Sequence, residues 1–245
     1  MSRGVLYIVF GENFIQEMKY SAESVKQHNP DLHISVFSDR NIECEFIDSV
    51  QIMKEVRHLR PKIDYISQAP YDQTLFLDTD TIINHSLEDL FGILEKYDIA
   101  LAHDLARKRK KFFHAIPEYG QIPYSFSEVN TGVMAFNKNE KVLSLFEAWR
   151  ENFYKYYNVV PWDQPSFRIS LWKSDASLYV LPVEYNIRSK ANREKQVRFH
   201  HEFGEDHLKP RIYHMHADTR INQGVYEVES LDNALNICKQ NMMEY

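Results

Sequence analysis

Two carboxylates separated by a single residue are the clearest candidates for chemistry in this chain. Asp78 and Asp80 flank Thr79 in the sequence FLDTDTII, directly after the hydrophobic run TLFL. Carboxylate oxygens suit hard divalent cations such as Mg²⁺ and Mn²⁺. A cation held there could bind a diphosphate and neutralise the charge on a departing group. Acidic residues after a strand are more often solvated turn residues, so the pair alone does not decide between these interpretations.

A second candidate lies far downstream, in the sequence RIYHMHA over residues 211–217. His214 and His216 follow a hydrophobic stretch that predicts a strand, and imidazole is a common ligand of manganese-like ions. The chain has 11 histidines, so two ordinary histidines are the alternative interpretation.

Two further polar sequences, NTGVMAFN and WDQP, could surround a sugar. Gly132 would let backbone approach a ligand closely, and Asn130 offers both a donor and an acceptor. Asp163 and Gln164 combine a carboxylate with an amide beside an aromatic ring, a set that suits sugar hydroxyls. As plain structure, the first sequence could be a turn before a strand, and the second the capped start of a helix with an early proline.

The elements that position these residues follow an α/β pattern. The run over residues 5–10 is typical of a buried strand, 14–28 has apolar residues three or four apart, and 32–37 is a second strand, which together predict a βαβ unit. A strand over 74–77 would carry the acids at its carboxyl end, where open α/β sheets bind ligands. Further predicted helices cover residues 61–67, 87–97, 140–156, 161–169 and 231–245, and further strands cover 99–102, 133–136, 178–181 and 211–214.

Residues 105–128 lack a clear period and predict a long surface loop, which in a compact domain is often functional. Five consecutive basic residues, 107–111, precede Phe112 and Phe113 in this stretch. They could grip an acidic or lipid-linked acceptor and give peripheral membrane contact. Ordinary solvation of the charges is the favoured interpretation.

Composition limits the alternatives. The 245 residues contain no linker-like run, which predicts one domain over residues 1–245. A net charge of −6 disfavours general binding to nucleic acid or to an anionic membrane. Two distant cysteines favour a reducing compartment, and we expect a cytoplasmic protein because no cleavable leader and no run of about 18 apolar residues is found.

The ordered set FLDTDT, NTGVMAFN, WDQP and YHMHA resembles the retaining glycosyltransferases of family 8, related to glycogenin and the bacterial lipopolysaccharide galactosyltransferases. The opening VFGENFIQEMKYSAESVKQHNPDL is also similar, so the resemblance covers residues 5–220. It implies a GT-A fold, a single Rossmann-like domain with a mostly parallel sheet flanked by helices. It also implies Mn²⁺ (or Mg²⁺), a nucleotide-sugar donor such as a UDP-sugar, and a carbohydrate or lipid-linked acceptor.

The resemblance also implies roles at individual positions. Metal ligands would be Asp78, Asp80 and His214. Donor-binding residues would be Asn13 and Asp39 near the nucleoside, the basic pair Arg60 and Lys62, and further Thr79, Gly132, His216 and Arg220. The transferred sugar would be surrounded by Asp104, Asn130, Asp163 and Gln164. Ala217 replaces the family's glycine, Arg220 replaces a phosphate-binding lysine, and the Pro-Trp that follows it in the family is missing.

The sequence also admits rival functions. DTDT satisfies the motif of haloacid-dehalogenase-like phosphatases, in which Asp78 would be a nucleophile, but a whole βαβ unit precedes it and no later Asp-Asp pair follows. Sugar nucleotidyltransferases need a glycine-rich loop that GENF lacks. A non-catalytic module could keep the fold and bind a nucleotide sugar, but a degenerate site should have lost some of Asp78, Asp80, His214, Asp163 and Gln164. For the transferase we expect retention through an ion pair, because the amide of Gln164 is a poor nucleophile.

Overall fold

A mostly parallel β-sheet covered by helices on both faces organises the protein, in a computed structural model that describes residues 1–188, 194, 198, 202, 209–215 and 228–242. The strands are β1 (Arg3–Val9), β2 (His33–Ser38), β3 (Ser49–Ile52), β4 (Gln73–Leu77), β5 (Thr81–Ile83), β6 (Ile99–His103), β7 (Val129–Asn137), β8 (Leu178–Leu181) and β9 (Ile212–His214). The helices are α1 (Glu12–His28), α2 (Lys62–Tyr65), α3 (Glu88–Ile93), α4 (Lys111–Ala115), α5 (Pro117–Gln121), α6 (Glu140–Tyr156), α7 (Asp163–Lys173) and α8 (Leu231–Met242), with 3₁₀ turns at Ile66–Gln68 and Val183–Tyr185.

The central sheet has the strand order β3-β2-β1-β4-β7-β6-β8. Neighbouring strands are parallel except at β7, which is antiparallel to both β4 and β6. The beginning of β7 therefore lies at the same edge as the end of β4. The predicted α/β class and mostly parallel sheet are confirmed.

Both faces of the sheet are buried, as the alternation along β1 illustrates. Val5, Tyr7 and Val9 pack in one cluster with the apolar side of α1 and with α3. Leu6 and Ile8 point the other way, into a cluster with the aromatic residues of α6 and α7. Because successive side chains point to opposite faces, a strand covered on both sides must be hydrophobic throughout.

A separate two-stranded sheet joins distant parts of the chain. β5 pairs with β9 in antiparallel register, and Thr81 lies opposite His214. The amide of Met215 donates to the carbonyl of Asp80 at 2.8 Å. This pairing brings the late histidine to the acids that follow β4.

Residues 105–128 were predicted to form a long irregular loop, and this prediction is wrong where the segment forms the helices α4 and α5. The two helices enclose a small hydrophobic cluster of their own. Phe112, Ile116 and Tyr119 are buried there against residues of α6 and α7. Strands β3 and β5 are too short to give a periodic signal and were not predicted. The predicted closing helix is confirmed as far as Met242, and residues 243–245 lie outside the described residues.

Among the described helices, none is both long enough and apolar enough to cross a bilayer. Both cysteines, Cys44 and Cys238, are free thiols.

Candidate active site

Three ligand atoms of the types that bind divalent cations converge beyond the end of β4. One atom each from Asp78, Asp80 and His214 lies within 4.8 Å of the others. The Nε2 atom of His214 is 3.2 Å from Asp80 Oδ1 and 4.0 Å from Asp78 Oδ2. Asp80 and His214 are buried, whereas 31% of the Asp78 side chain is exposed. The cluster therefore opens to solvent on the Asp78 side.

Gly132 makes this convergence possible, because the start of β7 passes directly behind the cluster. A Cβ atom at this position would lie 2.4 Å from Cε1 of His214 and 2.6 Å from Oδ2 of Asp78. Any other residue would therefore push the imidazole and the carboxylate apart. The amide of Asp78 also donates to the Gly132 carbonyl at 2.7 Å, which fixes the end of β4 against β7.

Asp78, Asp80 and His214 are called the metal cluster below. Lys62 is a buried cation that links this cluster to the residues expected around the sugar. Its Nζ lies 3.1 Å from Asp78 Oδ1 and 3.0 Å from Asp163 Oδ2, and it also donates to the carbonyl and hydroxyl of Thr131. Burial lowers the pKa of Lys62, but the carboxylates of Asp163 and Asp78 outweigh it and leave the pKa raised. The ammonium therefore stays charged.

Asp163 is likewise held as an anion. Its Oδ2 accepts a hydrogen bond from the Thr131 hydroxyl at 2.7 Å, and the Nε of Arg60 lies 3.6 Å from Oδ1. Burial raises the pKa of Asp163, but Lys62 and Arg60 more than offset it and lower the pKa below its usual range.

Asp104 is buried completely, and every acceptor position of its carboxylate is used. Donors to Oδ1 are the amide of Ala106 and Nη2 of Arg109, each at 2.9 Å, and donors to Oδ2 are Nε2 of Gln164 at 2.6 Å, Nη1 of Arg188 at 2.8 Å and Nδ2 of Asn130 at 3.3 Å. A carboxylate offers about four lone-pair sites. In this arrangement Asp104 orients Gln164, Arg188 and Asn130, and its contact with the sugar stays a prediction.

Burial alone would raise the pKa of Asp104. The hydrogen bond from Gln164, with the charges of Arg188 and Arg109, outweighs it, so that the pKa is lowered and the carboxylate is ionised. An ionised carboxylate only accepts hydrogen bonds, so the amide nitrogen of Gln164 must face it. The carbonyl oxygen of Gln164 is then left for the cleft.

These residues surround one cleft of about 370 Å³. Its polar lining is formed by Arg60, Lys62, Asp78, Thr79, Asp80, Asn130, Thr131, Gly132, Asp163, Gln164, Arg188 and His214. One end is apolar and is formed by Phe10, Phe14, Leu59 and Pro61, among others.

Among the described residues, three predicted positions are not in this lining, namely Asp104, Asn13 and Asp39. Asn13 and Asp39 are exposed outside it, and Asp39 accepts hydrogen bonds from its neighbour Arg40, the main reason that its pKa is lowered. His216 and Arg220 lie outside the described residues.

Solvation, the favoured interpretation, describes part of the basic run, since three of its five residues are exposed. Arg109 binds Asp104, Lys108 donates to the Ile122 carbonyl at 2.9 Å, and Lys111 lies 3.7 Å above the ring of Trp162. Arg107 and Lys110 are exposed. Phe112 is buried and does not point outward.

Sequence reasoning missed Arg188 and Asn186. Arg188 lines the cleft, and its buried Nε atom has no partner among the described residues. Oδ1 of Asn186 lies 2.9 Å from Nδ1 of His214. The signal was present in VEYNIR, where two polar side chains follow a 3₁₀ turn beside hydrophobic residues.

The sheet, the paired carboxylates at a strand end and the distant histidine together define a transferase of the GT-A fold. The chain belongs to the nucleotide-diphospho-sugar transferase family, whose model matches residues 64–227. The resemblance to glycosyltransferases of the GT-A fold is thereby confirmed, and the protein is a glycosyltransferase.

Solved structures of low sequence identity share the fold. The galactosyltransferase LgtC, determined with donor and acceptor sugar analogs, has 15% identity and a TM-score of 0.62, with 86% of each chain covered. The glycosyltransferase GlyE of Streptococcus pneumoniae has 18% identity and a TM-score of 0.57, covering 100% of this chain and 65% of that one. Mouse xyloside xylosyltransferase 1 has 14% identity and a TM-score of 0.57, covering 88% and 98%. No curated protein matches the chain.

Family membership overturns two rival interpretations. The DTDT sequence is not a phosphatase motif here, since the family model includes it within a sugar-nucleotide transferase. The nucleotidyltransferase alternative is excluded in the same way.

Proposed function

We propose that this enzyme moves a sugar from a nucleotide diphosphate donor, a UDP-sugar, to an acceptor hydroxyl with the help of Mn²⁺ (or Mg²⁺) and with retention of the anomeric configuration. The observation that carries the proposal is the convergence of Asp78, Asp80 and His214 within 4.8 Å at the side of a cleft. Lys62 adds a buried positive charge next to them.

The chemistry of the three ligands supports a resident cation. Two carboxylates and an imidazole nitrogen meet at one point, where the two negative charges would attract a divalent cation. The mixed oxygen and nitrogen set suits Mn²⁺ better than Mg²⁺, which prefers oxygen alone. When bound, the cation would neutralise the negative charge of the diphosphate.

The two ends of the cleft suit the two halves of the donor. The apolar end formed by Phe10, Phe14 and Leu59 offers exposed side chains against which a nucleobase can pack, since Leu59 is 75% exposed. Asn13 and Asp39, outside this end, stay predicted partners of the nucleoside. Between this end and the acids, Arg60 and Lys62 would lie beside the diphosphate, whereas Thr79 and Gly132 would approach it from the strand ends. His216 and Arg220 stay predicted donor contacts.

Transfer with retention is supported by the state of the groups at the sugar end. The carboxylate of Asp163 is committed to Lys62 and Thr131, and its lowered pKa makes it a weak nucleophile and base. Gln164 offers only its carbonyl oxygen, which can stabilise positive charge at the anomeric carbon but forms a poor covalent intermediate. Asn130 would hydrogen bond the sugar. Because none of these groups is a strong nucleophile, we expect a short-lived ion pair. The acceptor would attack the anomeric carbon from the face that the diphosphate leaves.

The acceptor is proposed to enter beside Trp162, which is 43% exposed next to Asp163 and Gln164. Aromatic rings beside a polar cleft suit a carbohydrate acceptor, whether free or lipid-linked. A cytoplasmic location, peripheral membrane contact and a single domain over residues 1–245 stay predictions.

A panel of nucleotide sugars tests the proposal. With Mn²⁺ and donor at about 100 times its Kd, the melting temperature should rise by roughly 5–10 °C, accompanied by slow donor hydrolysis. Asp80→Ala should abolish both effects, whereas Asp31→Ala, which alters an exposed acid outside the cleft, should leave them unchanged.

Three results would count against the proposal. Stabilisation that survives in Asp80→Ala would exclude the metal cluster. Donor binding without hydrolysis or transfer to any sugar acceptor would favour a non-catalytic module. An inverted anomer in the product, read by proton NMR, would exclude retention.

A further inference from the structure

An unbroken line of hydrogen bonds connects the sugar end of the cleft to the metal cluster. Nδ2 of Asn130 lies 3.3 Å from Oδ2 of Asp104, and Oδ1 of Asn130 is 2.8 Å from Nδ2 of Asn186. Oδ1 of Asn186 is in turn 2.9 Å from Nδ1 of His214. Asp104, Asn130, Asn186 and His214 are all buried, so each bond is shielded from water. We call these four residues the relay.

The direction of every bond in the relay is fixed by its surroundings. The backbone amide of Gly132, which can only donate, lies 3.0 Å from Oδ1 of Asn130. Asn130 therefore turns its oxygen toward Gly132 and Asn186, and its nitrogen toward the carboxylate of Asp104, which can only accept. Two independent groups thus require the same orientation of one amide.

The orientation of Asn130 determines the next two residues. Its oxygen must receive the amide nitrogen of Asn186, so the oxygen of Asn186 faces His214. A carbonyl oxygen accepts, which requires that Nδ1 of His214 carry the hydrogen. In the neutral ring the Nε2 atom is then left with its lone pair, and it is this atom that lies 3.2 Å from Asp80.

We propose that Asn186 is a positioning residue that fixes the tautomer of His214, so that Nε2 is free for a divalent cation, and that the relay ties the metal cluster to the groups that hold the sugar. The role of Nε2 toward the cation rests on the proposed function. The hydrogen-bond partner of a ligating imidazole commonly sets its tautomer and orientation.

The backbone around Asn186 is rigid enough for this role. The amide of Asn186 donates to the carbonyl of Val183, which closes the 3₁₀ turn. Ile187 then pairs with β9, since its amide donates to Ile212 and its carbonyl accepts from the amide of His214. The side chains of Asn186 and His214 are therefore held next to each other by main-chain bonds on both sides.

The tautomer can be measured in the wild-type protein without metal. Long-range ¹H–¹⁵N NMR, at a pH where the ring of His214 is neutral, distinguishes a protonated from an unprotonated ring nitrogen. We expect the hydrogen on Nδ1. A hydrogen on Nε2, the tautomer that prevails in free histidine, would overturn the proposal.

Variants at Asn186 test the consequence for metal binding, measured by Mn²⁺ electron paramagnetic resonance. Asn186→Ala should raise the Kd for Mn²⁺ by about 10–100-fold, the usual effect of losing such a partner. Asn186→Asp still accepts from Nδ1 but cannot donate to Asn130, so it should keep the Mn²⁺ affinity within about threefold while transfer activity falls. An equal loss of Mn²⁺ affinity in both variants would overturn the assignment, because the tautomer would then not be the cause.

Asn84→Ala is the matched control. Asn84 is also buried, and its amide donates to the carbonyl of Pro210 at 3.2 Å, away from the cleft lining. It should lower the melting temperature without changing the Mn²⁺ affinity. If Asn84→Ala and Asn186→Ala weaken Mn²⁺ binding alike, the effect is merely structural and the proposal fails.

The two proposals fail in different ways. A wild-type protein with the hydrogen on Nδ1 that binds no Mn²⁺ would contradict the proposed function and leave the relay intact. A wild-type protein that binds Mn²⁺ but carries the hydrogen on Nε2 would leave the proposed function intact and contradict the assignment of Asn186. If Asn186→Ala does not fold, the Mn²⁺ affinity of Asn186→Asp and the tautomer of His214 in the wild-type protein still test the proposal.

Discussion

The cluster of Asp78, Asp80 and His214, here the metal end of the active site, and the surroundings of Asp104, here the sugar end, contain similar residue types in opposite states. At the metal end, Asp78, Asp80 and His214 turn acceptor atoms toward one another within 4.8 Å. At the sugar end, the carboxylate of Asp104 is surrounded by five donors, two of them from guanidinium groups. In the first arrangement Lys62 lies 3.1 Å from Asp78, and under the proposed function a cation from outside joins it, whereas the second is complete within the protein.

This difference indicates how the work is divided. A saturated carboxylate keeps Gln164 and Asn130 in fixed orientations before any donor arrives, which is the kind of preorganisation that lowers a barrier without reorganisation during the reaction. Under the proposed function, the cluster of Asp78, Asp80 and His214 binds a cation instead. Variants at the two ends should therefore differ in what they change.

The largest effect is expected at the metal end. Asp80→Ala removes a charged ligand, and loss of about 5 kcal/mol of transition-state stabilisation would lower kcat/KM by about 10⁴-fold. Chelation of Mn²⁺ should do the same to the wild-type enzyme. Steady-state transfer assays with and without chelator measure both, and activity that persists in chelator would show that the cluster is not catalytic.

The next largest effect is expected from Asp104→Asn. The amide leaves Arg109 and Arg188 without their shared anion, and charged hydrogen bonds of about 1.5–3 kcal/mol each are lost, so kcat should fall by about 10³-fold. Mn²⁺ affinity should stay within about threefold, because the Gly132 amide still orients Asn130. Parallel loss of kcat and Mn²⁺ affinity would mean that the two ends are not separate.

Behind the sugar end, Glu128 should make stability depend on pH. Burial, with a smaller contribution from the charge of Asp104, raises the pKa of Glu128 from 4.5 to about 7, against opposing effects of Tyr119 and Arg109. Above pH 4.5 the unfolded chain loses this proton before the folded protein does, so stability falls as pH rises and the loss is complete above pH 7.

Glu128→Gln removes this dependence. Its free energy of unfolding relative to wild type should increase between pH 5 and pH 8, by about 3 kcal/mol at most. Urea denaturation at several pH values measures the difference. Glu118→Gln is the control, because Lys155 lowers the pKa of Glu118 to about 2 and its contribution is constant over this range. A pH-independent difference for Glu128→Gln would contradict the prediction.

The smallest effects are expected in the basic run. Arg109→Gln should lower kcat by about tenfold, because one charged hydrogen bond to Asp104 is lost. The double variant Arg107→Gln with Lys110→Gln should change kcat by less than about twofold, since both residues are exposed. If the double variant is the more damaging one, the run acts through its charge on the acceptor.

The metal end could be predicted from sequence because its signals are local. A hydrophobic strand followed by two acids one residue apart defines Asp78 and Asp80, and the late histidine follows another strand. The pairing of β5 with β9 then brings His214 to the acids. In the sequence, only the order of the motifs suggested that His214 lies near them.

The sugar end could not be predicted in the same way, because saturation of a carboxylate is a tertiary property. The five donors to Asp104 come from β7, α7, the stretch that follows β6 and the segment after the second 3₁₀ turn. No spacing in the sequence states that Arg188 reaches Asp104. The helices α4 and α5 escaped prediction for a related reason, since Tyr156, Val160 and Ile169 from elsewhere complete their core.

The pairing of β5 with β9 also has a consequence for how the enzyme matures. Its two strands are made at very different times during synthesis, and a nascent chain that ends before β9 holds the paired acids but not the imidazole. Under the proposed function, such a chain would lack the third ligand, and donor activation would wait until translation had passed β9. A ribosome-bound fragment would thus be kept from hydrolysing nucleotide sugars by the order in which its strands are made.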